Sequence, residues 1–164
     1  MKGGPEILGR VKSLHLHPDI SGEAFQDVES IEIVAGKGIL GNPRYFNRSS
    51  RRHVTLIERE QIAAHAGALG LSQIPQGKVR SNIETTGIDL IRLIGQVIRI
   101  GDSATLFLYE PRKPCAKMDA ICHGLRALME PNRQGMVAEV KISGAIRVGD
   151  PITVVNMADV LVHA

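Results

Sequence analysis

Two ten-residue segments, VIRIGDSATL at 97–106 and AIRVGDPITV at 145–154, are identical at five positions, and each sets a Gly-Asp pair between two short runs of β-prone residues. Gly-Asp suits a tight reversal, while Val, Ile and Thr suit a pleated surface. Each segment therefore predicts a chain reversal, inside a hairpin or at a tight bend. No further copy occurs, so a solenoid is excluded and the two are expected to form equivalent corners of one β architecture.

The rest of the chain supports a mainly β fold. ILGRVKSLHLH, SIEIVA, RHVTLI, SNIETT, ATLFLYE and VAEVKIS are short strand candidates punctuated by Gly or Pro. Strands at this spacing favour a closed or partly open β-barrel, or a sandwich, over alternating βα units. Helical patterns are few. Glu58–Leu69 has helix-forming composition and stops at Gly70, and Ile88–Ile94 offers one or two turns before Gly95. A third helix is expected to start at Pro114 or Cys115 and to run to Glu130, ending at Pro131. Its apolar stripe is Met118, Ile121, Cys122, Leu125, Leu128 and Met129.

A chain of 164 residues, 43% hydrophobic, is long enough for one substantial core, which makes a single domain over 1–164 the expectation. The N-terminal residues lack the apolar run of a secretory signal, and no segment approaches the roughly 20 apolar residues that span a bilayer. A soluble cytoplasmic protein with reduced cysteines follows, with no membrane partner. The formal charge of +3 is mild, and with no Trp and few other aromatics a nucleic-acid partner is disfavoured. Arg44, Arg48, Arg51, Arg52 and His53 cluster in a segment that reads as a basic loop, either a candidate anion site or a solvated surface.

Cys115 follows Arg112, Lys113 and Pro114 and precedes Lys117. At a helix start among cations, a thiol pKa can fall from about 8.5 to between roughly 3.5 and 7.5, which would populate the thiolate. The alternative is a small core residue with incidental neighbours. Cys122, seven residues on, would lie about 10 Å away on an intact helix, beyond the roughly 7 Å limit for a disulfide, and is expected to be buried. Arg80 and Asn82 would share a face if their run is extended, pairing a bidentate donor fork with an amide. Gly36–Gly41 spells G-x-G-x-x-G, but Asn42-Pro43 follows where the dinucleotide fingerprint requires a helix. A zinc site from His15, His17, Cys122 and His123 lacks any supporting spacing, so scattered surface histidines are expected. No G-x-S-x-G elbow is present.

From about Gly36 to Val154 the ordered segments resemble a MOSC domain, the module named for the C-terminal part of molybdenum cofactor sulfurases. The matching pieces are GILGN at 38–42, RHVTLIERE at 52–60, VRSNIETTGIDL at 79–90, VIRIGDSATL, Lys113-Pro114-Cys115 and GMVAEVKISGAIRVGDPITV at 135–154. The resemblance implies a barrel-like fold and a molybdenum cofactor (molybdopterin) or related sulfurated species. It makes Cys115 sulfur carrier or metal ligand and maps the family's polar pocket onto Arg80 and Asn82; the expectation built on it is persulfide transfer with Cys115 catalytic, Lys113 also lining the pocket, and Arg44 and Arg52 as candidate phosphate contacts. The Gly-Asp and Arg-His common in the family after its first glycine segment are replaced by Gly41-Asn42-Pro43-Arg44-Tyr45, removing a carboxylate and an imidazole. No pyridoxal phosphate is expected on this chain, so a cysteine desulfurase or molybdoenzyme would act in trans. The alternatives are a non-catalytic anion- or partner-binding barrel and an accessory subunit of a molybdenum-dependent reductase of N-hydroxylated compounds.

Overall fold

The computed structural model of the protein describes residues 6–156 and 158. Both ends of the expected 1–164 domain lie outside the described residues. The chain runs β1 (Ile7–Leu16), β2 (Gln26–Val28), β3 (Ser30–Val34), β4 (Gly38–Ile39), β5 (Val54–Glu58), α1 (Arg59–Ala68), β6 (Ile83–Thr86), a 3-10 turn (Leu90–Leu93), β7 (Val97–Ile100), β8 (Ala104–Pro111), α2 (Ala116–Ile121), α3 (Leu125–Leu128), β9 (Met136–Ile142), β10 (Gly144–Arg147) and β11 (Pro151–Val155).

Seven strands close on themselves in the order β11-β7-β8-β9-β5-β6-β1, with β1 returning to β11 and β2 added outside β1. An odd ring cannot alternate direction all the way round, so at least one neighbouring pair must run parallel. That pair is β5–β6, with Leu56 opposite Ile83. A parallel pair needs a crossover rather than a tight turn, which is the place α1 occupies. The strands β10, β3 and β4 form a separate small sheet.

The core is divided accordingly. Leu14, Leu56, Ile83, Ile98, Leu106 and Ala138 belong to one buried cluster, while Ile57, Ile62, Val79, Met118, Leu125 and Met129 belong to a second that holds the helices. All of β5 is buried, because Leu56 points into the first cluster and Ile57 into the second. Burying a Leu, Ile or Met side chain is worth about 1.5–3 kcal/mol, which suffices to hold helices of six and four residues that have no stability alone.

Two expectations change. The two Gly-Asp corners are not equivalent: 97–106 is the β7–β8 hairpin, whereas 145–154 carries the chain from the small sheet into the barrel. They do meet, since the Gly101 amide donates to Pro151 O at 3.0 Å. The helix expected over 115–130 is broken in two. Gly124 turns left-handed at φ 95°, and Asp119 Oδ1 accepts the amides of Gly124 and Arg126 to restart the chain as α3. Cys122 consequently ends α2 half-buried rather than buried in the stripe, and both cysteines are free.

Candidate functional site

A cavity of about 180 Å³ opens at one end of the barrel, lined by residues from five parts of the chain: His17 and Phe25; Arg44, Tyr45, Arg52 and Thr55; Arg80; Arg112, Lys113, Cys115, Lys117 and Met118; and Gln134. Six of these are cations and none is a carboxylate. Among the described residues, none of the six forms an ion pair. Two further cavities, of about 250 and 370 Å³, share Arg80 with it, the first also His17 and Arg44 and the second also Phe25 and Lys117.

The local folding that builds this wall is specific. Strand β8 delivers Arg112, whose backbone N–H donates to Gly135 O at 3.0 Å and whose Nη1 donates to Val79 O at 3.2 Å. Gly135, at φ 75°, lies so close to Leu56 O and Ile57 Cα that no side chain fits, and this contact sets Gln134 into the cavity wall. Gln134 is 1% exposed, and its Oε1 is buried without a partner. Cys115 caps α2 with its backbone carbonyl, which accepts from Met118 N at 3.0 Å, while buried Met118 anchors that turn in the second core cluster. The thiol itself is exposed.

Burial first, and then repulsion from Arg52, lowers the Arg112 pKa to about 10, with Cys115 and Tyr45 opposing the shift and Arg80 adding to it. Cations gathered this way destabilise one another until an anion enters. Arg80 carries a second cost. It is one of three described non-glycine residues with positive φ, at 64°, and its guanidinium lies 4.7 Å from the Phe25 ring centre while Nη1 donates to Glu23 O at 3.2 Å. Strained backbone of this kind persists where surrounding structure imposes it, commonly at functional sites.

The model of the MOSC domain family matches residues 32–153, three quarters of the chain. The chain belongs to the MOSC domain family. That family is associated with the molybdenum cofactor and related species. Solved structures with the same fold include the YuaD protein of Bacillus subtilis, 20% identical with a TM-score of 0.76 over 89% of this chain and 94% of that one. YiiM of Escherichia coli is 18% identical, with a TM-score of 0.66 over 90% of this chain and 70% of its own. YiiM of Geobacillus stearothermophilus is 15% identical, with a TM-score of 0.65 over 92% and 75%. No curated protein matches the chain by sequence.

In this MOSC domain, Cys115, Arg80, Lys113, Arg44 and Arg52 meet around the one cavity. Asn82 does not line it. The run is not extended at Arg80, and Asn82, 1% exposed, lies beneath the wall as a clamp. Its Oδ1 accepts from Thr55 N and Thr55 Oγ1, both at 3.1 Å, and its Nδ2 donates to His15 O at 3.1 Å. The basic loop also divides. Arg44 and Arg52 face the cavity, but Arg51 stacks on Tyr109 at 4.0 Å and His53 Nδ1 accepts from Val140 N inside the core.

The histidines depart most from expectation. His15 is fully buried, with Nδ1 2.7 Å from Asp27 and Nε2 2.7 Å from Ser13 Oγ. His17 is half-buried in the cavity wall, between the rings of Phe25 at 4.3 Å and Tyr45 at 4.8 Å. It supplies from the end of β1 an imidazole that the glycine segment lacks. Among the described residues no set of His, Cys, Asp and Glu is grouped to hold a metal, and no helix is long and apolar enough to cross a membrane.

Proposed function

We propose that the cavity holds the molybdenum cofactor or a related sulfurated anion, and that Cys115 is the sulfur carrier or the thiol ligand toward it. The observation that carries this reading is the set of six cations, without a counter-carboxylate, around a free exposed cysteine. A cavity of 180 Å³ is small for an organic cofactor, since ligand sites usually run to roughly 300–1,000 Å³. The two cavities that share Arg80 supply the remaining space. Arg44, Arg52, Arg80 and Arg112 suit phosphate through their donor forks, Lys113 and Lys117 add charge beside the thiol, and the unpaired Gln134 Oε1 suits a ring N–H. The bound group would supply a metal centre that accepts sulfur or exchanges electrons.

For sulfur carriage the chain's own step is an exchange without net oxidation. Cys115 sulfur attacks the outer sulfur of a donor persulfide, the bond between the two donor sulfurs breaks, and the donor thiolate leaves as Cys115 becomes the persulfide. A cysteine desulfurase is the partner class that carries such a persulfide, and a molybdoenzyme is the class of acceptor or of larger reductase assembly.

The protein is incubated with a persulfide donor and, separately, with molybdenum cofactor released from a molybdoenzyme. Added sulfur is read by peptide mass spectrometry and retained molybdenum by elemental analysis after gel filtration. Wild type should gain sulfur on Cys115 or retain molybdenum, Cys115→Ser should lose whichever occurs, and Cys122→Ser should not. Phosphate binding with neither sulfur nor molybdenum captured would reduce the site to an anion-binding module.

A further inference from the structure

The cavity displays many hydrogen-bond donors, and His17 gives it an acceptor. The His17 backbone N–H is 2.8 Å from Asn42 Oδ1, and a backbone N–H can only donate, so that Asn42 atom is the oxygen. His17 Nδ1 lies 2.8 Å from the same oxygen and must therefore carry its proton. In the neutral ring the lone pair sits on Nε2, which has no partner among the described residues. Two aromatic rings fix the imidazole plane, and the residue borders both the Cys115 cavity and the neighbouring one that contains Arg44 and Arg80. Gln134 Oε1 is a second unpartnered acceptor on the same wall.

We propose that His17 Nε2 makes this pocket selective for an oxyanion that brings a proton with it, such as hydrogen phosphate, over a tetrahedral anion that has none, such as sulfate. It rests on the reading of the cavity as an anion site and adds the protonation state of the group bound there. The arginines and lysines attract either anion through charge. Only an anion with an O–H can also donate to Nε2; sulfate would set an oxygen lone pair against a nitrogen lone pair. Sulfate could escape this only by having the ring take a proton from solvent. Burial opposes that first, and Arg112, Arg80 and Arg44 oppose it further, so that despite the Asn42 contact the ring titrates at about 4. A phosphate ester would be held in its singly protonated form, with one proton shared between ester and ring.

The test measures inorganic phosphate and sodium sulfate binding to the wild-type protein by titration calorimetry at pH 7 and constant ionic strength. It is repeated with His17→Phe, which keeps an aromatic ring between Phe25 and Tyr45. Phosphate should bind about tenfold more tightly than sulfate, the low end of what one unmatched, partly buried acceptor costs, and His17→Phe should bring the two close to parity. Nitrogen-15 NMR of the wild-type imidazoles gives a readout independent of the variant's folding: phosphate should move the His17 Nε2 resonance and sulfate should not. Equal affinities with an unmoved Nε2 resonance, or a preference that survives in His17→Phe, would overturn the selectivity and leave the anion site standing. Failure of both anions to bind would overturn the anion site and the selectivity together.

Discussion

Arg80 gives the most demanding test, because one residue carries both a backbone cost and a ligand contact. At φ 64° an L-residue other than glycine bears roughly 1–2 kcal/mol of strain. Arg80→Ala and Arg80→Gly both remove the guanidinium, the contact to the Phe25 ring and the hydrogen bond to Glu23 O, so their difference isolates the backbone. Glycine relieves the strain but gives back about 0.5–1 kcal/mol through the greater freedom of the unfolded chain. Arg80→Gly should therefore be up to about 1.5 kcal/mol more stable than Arg80→Ala, or up to about 6 °C in Tm for a chain of this size. The chain has no tryptophan, so thermal unfolding is followed by far-ultraviolet circular dichroism. Phosphate affinity, read by calorimetry, should fall by about tenfold or more in both variants, as expected when a charged hydrogen bond is lost. A lower melting temperature for Arg80→Gly than for Arg80→Ala would refute the strain, and undiminished affinity would refute the guanidinium as a pocket contact.

Asn82→Ala should cost at least about 2 kcal/mol, because it strands the buried Thr55 N–H and removes the donor to His15 O; a thermal melt should fall by about 4 °C or more. The His17 pKa is held down to about 4, so its contribution to stability is fully present above the ordinary histidine value near 6.5 and is lost as pH falls from there toward 4. The difference in Tm between wild type and His17→Phe should change across that window and stay flat between pH 7 and 8; a flat difference throughout would refute the buried neutral ring.

The strands were readable because their β-branched runs depend on neighbours one or two residues away. Every strand candidate contributes to an observed strand, and Gly70 at φ 72° does stop α1. What the pattern could not carry was topology. The two Gly-Asp segments are chemically alike, yet one closes a hairpin and the other changes sheets, a distinction set by which strands lie beside Ser30–Val34 and Ile7–Leu16. The 115–130 segment misled because Met118, Leu125 and Met129 are all buried at helical spacing, while the Asp119 side chain and Gly124 break the helix between them. At the site, Cys115, Lys113 and the basic loop stood out through local charge. His17, Gln134 and Thr55 gave no such signal, because only barrel closure brings them together. The hydrogen bonds of the buried His15 ring to Ser13 and Asp27 were equally invisible, since Asp27 lies on the neighbouring strand β2.

The pairing of β1 with β11 closes the ring between the first and last strands described. On a ribosome, β1 would emerge long before its partner and would have to wait until the chain had been made through Val155. Yet β11 takes the Ile7–Arg10 end of β1, while the end that leads into His17 is paired with β2 and β6, strands made long before Val155. The cavity wall can therefore begin to assemble before the ring closes, and a chain truncated before β11 would keep every cavity-lining residue while leaving the barrel open along β1 and β7.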